Sequence, residues 1–440
     1  MNHSSSMSRP WDVAVVCGGL AGITAARDLK QRGLRTVVIE ANDRLGGRTY
    51  TIEDNGCKFE LGGTWIHWTQ PFIWAEKERY GLEIEETPGC VAEHIAIHRG
   101  DRIEALGEHE IAEFMAGFDL FFSEAIKVWE RPYDAHHTWG AIQERDKITV
   151  ADRLASLNLT PLQQAAIGGF LEILSMSAPK SASYVEMMRC YALSGWNTVV
   201  FKDTAARYKF SNGTGALVNA IVDDGGFDVV TNAQAATITQ GPDGVTVHTS
   251  NGDTYQGRLG IITVPMNVMN TVEFKPPLSP VKREAAEVKH AGGGSKVFFV
   301  VKGDPGPVMT LARSADSALI GSFTYHRGEQ QSSLAGFSLE PDALEKSVDE
   351  WQSIFNDYLP DLKILRTFGH PWGTDPLSQG SWCNYRPGTV TRFAEALPLK
   401  EGRLFFASGD HGDGWRGFME GAIASGSQTA MAVQTTLSGT

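Results

Sequence analysis

Cysteine is scarce and unpatterned in this 440-residue chain: five residues (17, 57, 90, 190 and 383), an odd number with no Cys-x-x-Cys spacing. That excludes a disulfide framework and a zinc site, and it points to reduced thiols in an intracellular, cytoplasmic protein. No run reaches the roughly 18 uninterrupted apolar residues of a membrane-crossing helix. The Ser-rich start, Met1 to Pro10, lacks the apolar core of a secretory signal and reads as a flexible lead-in. The end, Leu437 to Thr440, carries neither a membrane tail nor a peroxisomal address. Positive charge is also short: 39 Lys and Arg against 52 Asp and Glu leave a net charge of −13, spread along the chain. That balance excludes nucleic acid and anionic membranes as partners, because both call for basic patches. The one adjacent histidine pair, His136-His137, precedes Trp139 and reads as a solvated loop. No metal is expected.

What the chain does have is a 42% hydrophobic content, ample for two or three domains, and one ordered motif. Residues 12–48 read as a buried strand (Val13 to Val16), a glycine-rich turn, an amphipathic helix, a stop at Gly33 and a second apolar strand ending in Glu40. Such a βαβ unit sets backbone N–H groups and a helix N-terminus against a pyrophosphate, while the acid accepts ribose hydroxyls. The sequence Arg44-Leu45-Gly46-Gly47-Arg48 that follows narrows a general dinucleotide site to FAD. The turn reads Cys17-Gly18-Gly19-Leu20-Ala21-Gly22, so a cysteine stands where the first glycine of Gly-x-Gly-x-x-Gly belongs. Only the tight-turn role of that glycine is in question. We read Cys17 as a small residue with ordinary strand-end dihedrals and an inert thiol.

Further along, Phe59 to His67 reads as a strand entering a glycine turn, and residues 70–200 as mostly helical, with three- and four-residue apolar spacing over Ile111 to Ala125 and Leu162 to Met176. Strand signals return at Val229-Val230, Ala236 to Ile238, Val245 to His248 and Leu259 to Val264. A second mixed region spans Lys296 to Thr374, residues 402–410 form a closing strand, and a last helix runs from Phe418 to Thr435.

With these pieces in place the chain resembles the flavin-containing amine oxidase family, most closely its soluble fungal and bacterial monoamine oxidases. Four blocks carry the resemblance: the motif through Gly46-Gly47-Arg48, then Leu61 to Trp68, then Ser295-Lys296-Val297-Phe298, and finally Phe406 to Asp410 continued by Trp415 to Ala422. It implies an α/β fold, a Rossmann-like FAD-binding domain with an inserted α+β substrate domain, as in glutathione-reductase-like flavoproteins. The FAD-binding domain is expected over residues 11–80, 205–286 and 379–440, and the substrate domain over 81–204 and 287–378.

The resemblance implies FAD contacts from Gly18, Gly19, Leu20, Ala21, Gly22, Glu40, Ala41, Arg48, Gly62, Gly63, Thr64, Trp65, Gln234, Trp382, Gly409, Asp410, Phe418 and Met419. Arg48 is expected over the pyrophosphate, and Gly62, Gly63 and Thr64 against the flavin ring. Asp410 is expected near the ribityl chain. Met419, opening the last helix, would favour negative charge on the flavin N1–C2=O edge. Lys296 is the expected holder of a water at flavin N5, with Trp382 and Phe418 framing the amine's path. Relatives that bind flavin covalently use a cysteine where this chain has Ser381, with Cys383 two residues on, so noncovalent FAD is expected.

The implied activity is oxidation of a small-molecule amine to an imine, hydrolysed to aldehyde or ketone plus ammonia or an amine, with O2 reduced to H2O2. A polyamine oxidase would want acids along its tunnel and an L-amino-acid oxidase an arginine such as Arg189, while a flavin oxidase or desaturase would keep flavin and fold but oxidise a C–N or C–C bond inside a natural-product intermediate. A relative that binds flavin without turnover is the rival from another class. A homodimer is left open.

Overall fold

Val13, Ala14, Val15 and Val16 are 0–3% exposed, because strand β1 (Trp11–Val16) has a neighbour on each side. One is β2 (Thr36–Ile39) and the other the strand Thr254–Ile262, both parallel to it. A strand paired on both edges and covered on both faces must be apolar throughout. The computed structural model describes residues 10–439. The expected flexible lead-in falls, Pro10 aside, outside the described residues.

The fold is mixed α/β. The first sheet orders its strands as Asp228–Val230, β2, β1, Thr254–Ile262, Gly244–Thr249, Ala235–Gly241 and Glu273–Lys275, and Leu404–Phe406 pairs with Thr254–Ile262 as an eighth. Helix α1 (Leu20–Gln31) lies on this sheet, buried from Leu20 to Leu29. It packs against the helix Thr214–Gly225 and the C-terminal helix Met419–Ser438. The second sheet has seven strands: Ile364–Gly369, Ser295–Lys302, Gln331–Ser338, Gly321–His326, Val308–Leu311, His94–Arg99 and Arg102–Ala105. Its Ser295–Lys302 strand is buried over seven of eight residues. Two helices, Glu108–Phe121 and Pro161–Ser175, carry the periodicities noted above.

Two expectations need adjusting. Residues 70–200 are mostly helical, but three strands lie among the helices, Ile84–Glu86, His94–Arg99 and Arg102–Ala105. The last two form a hairpin across Gly100-Asp101, and Ile95, Ala96 and Ile97 are buried where the hairpin joins the second sheet. The closing strand is also shorter than residues 402–410, running only over Leu404–Phe406, after which the chain turns into the glycine-rich loop. Among the described residues, no helix is long and apolar enough to cross a membrane.

Candidate active site

A cleft of about 1760 Å³, counted out to its open mouth, runs between the two sheets from the β1–α1 turn to the Ser295–Lys302 strand. At its start α1 opens with Gly19 as N-cap, no side-chain cap and no acid in its first turn. Its first amides are therefore free to meet an anion, and its dipole favours one. A Cβ on Gly19 would find nothing closer than 3.9 Å, so the chain leaves space there. The other glycines are needed by the protein itself. A Cβ on Gly22 would lie 2.2 Å from the Cys17 carbonyl oxygen, and one on Gly62 would lie 1.9 Å from that of Arg48. A Cβ on Gly63 would lie 3.0 Å from Met419 Cγ.

Cys17 departs from the expected dihedrals: its φ is +82°, in the left-handed region that favours glycine. The strand must turn sharply into α1 here, and the cysteine adopts the glycine conformation the motif demands. Burial, reinforced by Glu40, raises the Cys17 thiol above its ordinary value, so the thiol stays protonated. Glu40, 2% exposed, accepts from the Gly18 amide at 2.6 Å and the Asn42 amide at 2.8 Å, tying the end of β2 to the turn.

Arg48 crosses from the first sheet to the C-terminal segments. Its guanidinium donates to Asp410 Oδ1 at 2.7 Å and to the Ser381 carbonyl at 2.9 Å. Asp410 Oδ2 accepts from the Met266 amide at 2.9 Å. Burial alone would raise the Asp410 carboxyl, but Arg48, His290 and the Met266 amide outweigh it and hold it at about 2. The same corner brings ligand atoms of His290, Cys383 and Asp410 within 4.8 Å of one another. Both Asp410 oxygens are already engaged there, and a guanidinium stands beside them, which is poor surroundings for a cation. Ser381 lines the cleft, whereas Cys383 is buried, its thiol raised by desolvation.

At the far end, Lys296 enters from the Ser295–Lys302 strand and is 2% exposed. Its ammonium donates to the carbonyls of Glu60 (3.0 Å) and Gly62 (2.6 Å) and to Thr64 Oγ1 (2.5 Å). Burial pulls it down to about 7, with Glu60 offsetting part of the fall. Trp382 is fixed by its indole N–H to the Leu174 carbonyl at 2.7 Å, and Phe418 by an edge-on contact with Trp415 at 5.1 Å. Glu420 accepts from the Phe72 and Ile73 amides, which ties the first turn carrying Met419 to the helix Pro71–Arg79.

Of the residues singled out in the sequence, Gly19, Leu20, Ala21, Arg48, Gly62, Gly63, Thr64, Trp65, Lys296, Trp382, Gly409, Phe418 and Met419 line this one cleft. Gly18, Gly22, Glu40, Ala41 and Asp410 are not among the lining residues, although Glu40 accepts from the Gly18 amide and Asp410 from Arg48. Gln234 is exposed, with its carbonyl accepting from the Ser250 amide. Arg189 donates to Asp413 at 2.5 Å and does not line the cleft. The sequence reading missed the aromatic and aliphatic chamber at the far end: Phe170, Ile173, Leu174, Met309, Leu311, Phe323 and Phe337, together with Lys202 and Cys90. Among the described residues, the lining includes no aspartate or glutamate.

With this geometry in view, the chain belongs to the flavin-containing amine oxidoreductase family, whose sequence pattern matches residues 20–434. It is 38% identical over 439 residues to a pseudooxynicotine dehydrogenase of Pseudomonas sp, covering 98% of this chain and 87% of that one. It is 26% identical over 431 residues to an (S)-6-hydroxynicotine oxidase of Paenarthrobacter nicotinovorans, covering 94% and 97%. The fold superposes on cyclohexylamine oxidase from Brevibacterium oxydans with a TM-score of 0.82, at 19% identity, over 98% of this chain and all of the other. The protein is thus an enzyme of a flavin-containing oxidoreductase family that acts on small-molecule amines.

Proposed function

We propose that this chain is an FAD-dependent oxidase of an apolar, aromatic monoamine, holding FAD noncovalently and passing electrons to O2 to give H2O2. One observation carries the reading: a single cleft joins an uncapped helix N-terminus to an apolar chamber at Lys296, Trp382 and Phe418, with no carboxylate along it. The residues present fit FAD. The α1 amides and the space over Gly19 suit a pyrophosphate, Glu40 keeps lone pairs for ribose hydroxyls, and Arg48 has a guanidinium face at the cleft. Ser381 offers a hydroxyl where a covalent link would need a thiol. In the same reading residues 11–80, 205–286 and 379–440 hold the nucleotide, and 81–204 and 287–378 enclose the substrate.

When bound, FAD supplies the acceptor for the two electrons of the amine's α C–H bond, and the resulting imine is hydrolysed by water. The chain's own residues orient and exclude. Trp382 and Phe418 direct the amine between their rings, and the chamber keeps water out. Lys296, able to exist as a neutral amine near pH 7, holds or takes up a proton at Nζ beside Thr64.

The apolar lining argues against a polyamine, which would want acids. The engagement of Arg48 by Asp410 and of Arg189 by Asp413 argues against an amino-acid carboxylate. The pseudooxynicotine and (S)-6-hydroxynicotine after which two relatives are named favour a nicotine-derived amine. A different electron acceptor is the second reading, favoured by the name dehydrogenase on the 38% identical relative. The test is anaerobic mixing of the yellow holoenzyme with aromatic amines, then addition of O2 or ferricyanide. Bleaching by amine followed by stoichiometric peroxide supports the proposal. Reoxidation by ferricyanide alone replaces O2 as the acceptor, and no bleaching by any amine overturns the proposal.

A further inference from the structure

Three cationic side chains line the cleft, and two of them are fully met. Lys296 has three oxygen acceptors, and Arg48 has Asp410 and Ser381. The third, Lys202 on the helix Thr198–Ala206, has no oxygen acceptor among the described residues. Its ammonium reaches only the Met115 sulfur at 3.7 Å and the face of Phe114, 5.6 Å from the ring centroid. The nearby carboxylate of Asp203 is bound to Arg207 at 2.8 Å. An ammonium bordered by a thioether and an aromatic ring is a strong donor with only weak protein acceptors, and the half-buried side chain leaves its N–H groups for a ligand in the cleft or for water. Burial also lowers Lys202 from its ordinary value, as expected for a charge short of partners. It rises from substrate-side elements, none of which carries a residue of the β1–α1 turn.

We propose that Lys202 determines specificity for the end of the substrate remote from the amine, donating to a neutral lone-pair acceptor, a ring nitrogen or carbonyl oxygen, on an otherwise aromatic body. The identity of the reacting end rests on the amine-oxidising reading above; the acceptor contact does not. A carboxylate fits less well, because the walls of Phe170, Ile173 and Leu174 would strip a full charge of its water at far greater cost.

The test is calorimetric titration of the holoenzyme with three ligands that carry no amine: 3-propylpyridine, propylbenzene and 3-phenylpropanoate. Wild type should bind the pyridine roughly tenfold or more tighter than propylbenzene, the worth of one hydrogen bond to a charged donor. In Lys202→Met that preference should fall to within about twofold of unity. Equal affinities in wild type, a preference that survives in the variant, or tightest binding of phenylpropanoate would each overturn the proposal. A turnover arm compares N-methyl-3-(3-pyridyl)propylamine with N-methyl-3-phenylpropylamine, where Lys202→Met should erase the kcat/KM preference chiefly through KM. If neither amine is oxidised while the pyridine preference depends on Lys202, the amine reading fails and the Lys202 assignment stands. If both are oxidised with no preference, the reverse holds.

Discussion

Thr263 donates its hydroxyl to the Cys17 carbonyl at 2.6 Å and to the Val16 carbonyl at 2.9 Å, so the strand Thr254–Ile262 ends by clamping the turn that opens α1. That clamp holds Cys17 at φ +82° although it carries a Cβ. A non-glycine residue there stores about 1–3 kcal/mol of strain. Cys17→Gly releases it and returns part as extra entropy of the unfolded chain, about 0.4–1 kcal/mol. The variant should therefore be more stable in urea denaturation, by up to about 2 kcal/mol, and Cys17→Val less stable. A destabilised glycine variant would show that the thiol's packing outweighs the strain.

Asp410 is the fully buried partner of Arg48. Asp410→Asn should cost about 3–5 kcal/mol, because it leaves a guanidinium uncompensated. The pH sign follows from the depressed carboxyl. Its stabilisation is present above the ordinary value of 3.8 and is lost as pH falls through about 2, a difference of about 2 kcal/mol. In acid denaturation the stability gap between wild type and Asp410→Asn should narrow by about 2 kcal/mol below that window. Parallel curves would remove Asp410 from the account.

The parts of this arrangement legible in sequence are those encoded locally. β1, α1 and β2 are contiguous, so a period-two run, glycines and a strand-end acid fall within 30 residues or so of one another. The backbone of Cys17 was not legible, since residue type carries no φ and the clamp comes from Thr263, 246 positions away. Gly62 and Gly63 also serve the fold itself, since a Cβ on either would press on the Arg48 carbonyl or on Met419, which residue type alone does not reveal. The apolar chamber was missed because it is assembled from side chains 150 residues apart, such as Phe170 and Phe323, each of which reads locally as ordinary core. Lys202 sits in a helix whose sequence, Thr-Val-Val-Phe-Lys-Asp, gives no sign that its lysine faces a cleft. The 94–105 hairpin did have a signal, the alternation of Ile95 and Ile97 before Gly100-Asp101, but the surrounding helical pattern overrode it.

The proposed noncovalent flavin turns on Ser381. A serine hydroxyl forms no thioether, and Cys383 is buried with a raised, protonated thiol. Acid precipitation should release all yellow colour into the supernatant. Colour retained in the pellet would point to a covalent bond.

Trp382 and Phe418 should govern orientation rather than flavin retention. Trp382→Ala also frees the Leu174 carbonyl, so Trp382→Phe is the cleaner probe of shape. Both alanine variants should keep their yellow colour yet slow the amine-dependent bleaching by about tenfold or more. Normal bleaching rates would return these rings to the ordinary core.

Lys296 combines stability and chemistry in one titration. Its ordinary value of 10.5 falls to about 7 in the fold. Between those values the unfolded chain carries a proton that the folded chain does not, so stability should rise with pH across the window, by up to about 1.4 kcal/mol per unit. Lys202, Lys209 and Lys282 are lowered as well, so the wild-type slope contains their share. Subtracting the Lys296→Met curve isolates the Lys296 part. The same substitution should leave flavin bound, slow its reduction or reoxidation by at least tenfold, and remove an inflection near pH 7 from the rate profile. Methionine keeps the length of the chain but leaves the Glu60 and Gly62 carbonyls without their donor, so some loss of stability is expected at every pH. A uniform loss is that structural cost; the loss of slope and of the inflection belongs to the proton. If Lys296→Met shows both the wild-type slope and the wild-type profile, Lys296 carries no titration in this range and its part at the site is packing alone.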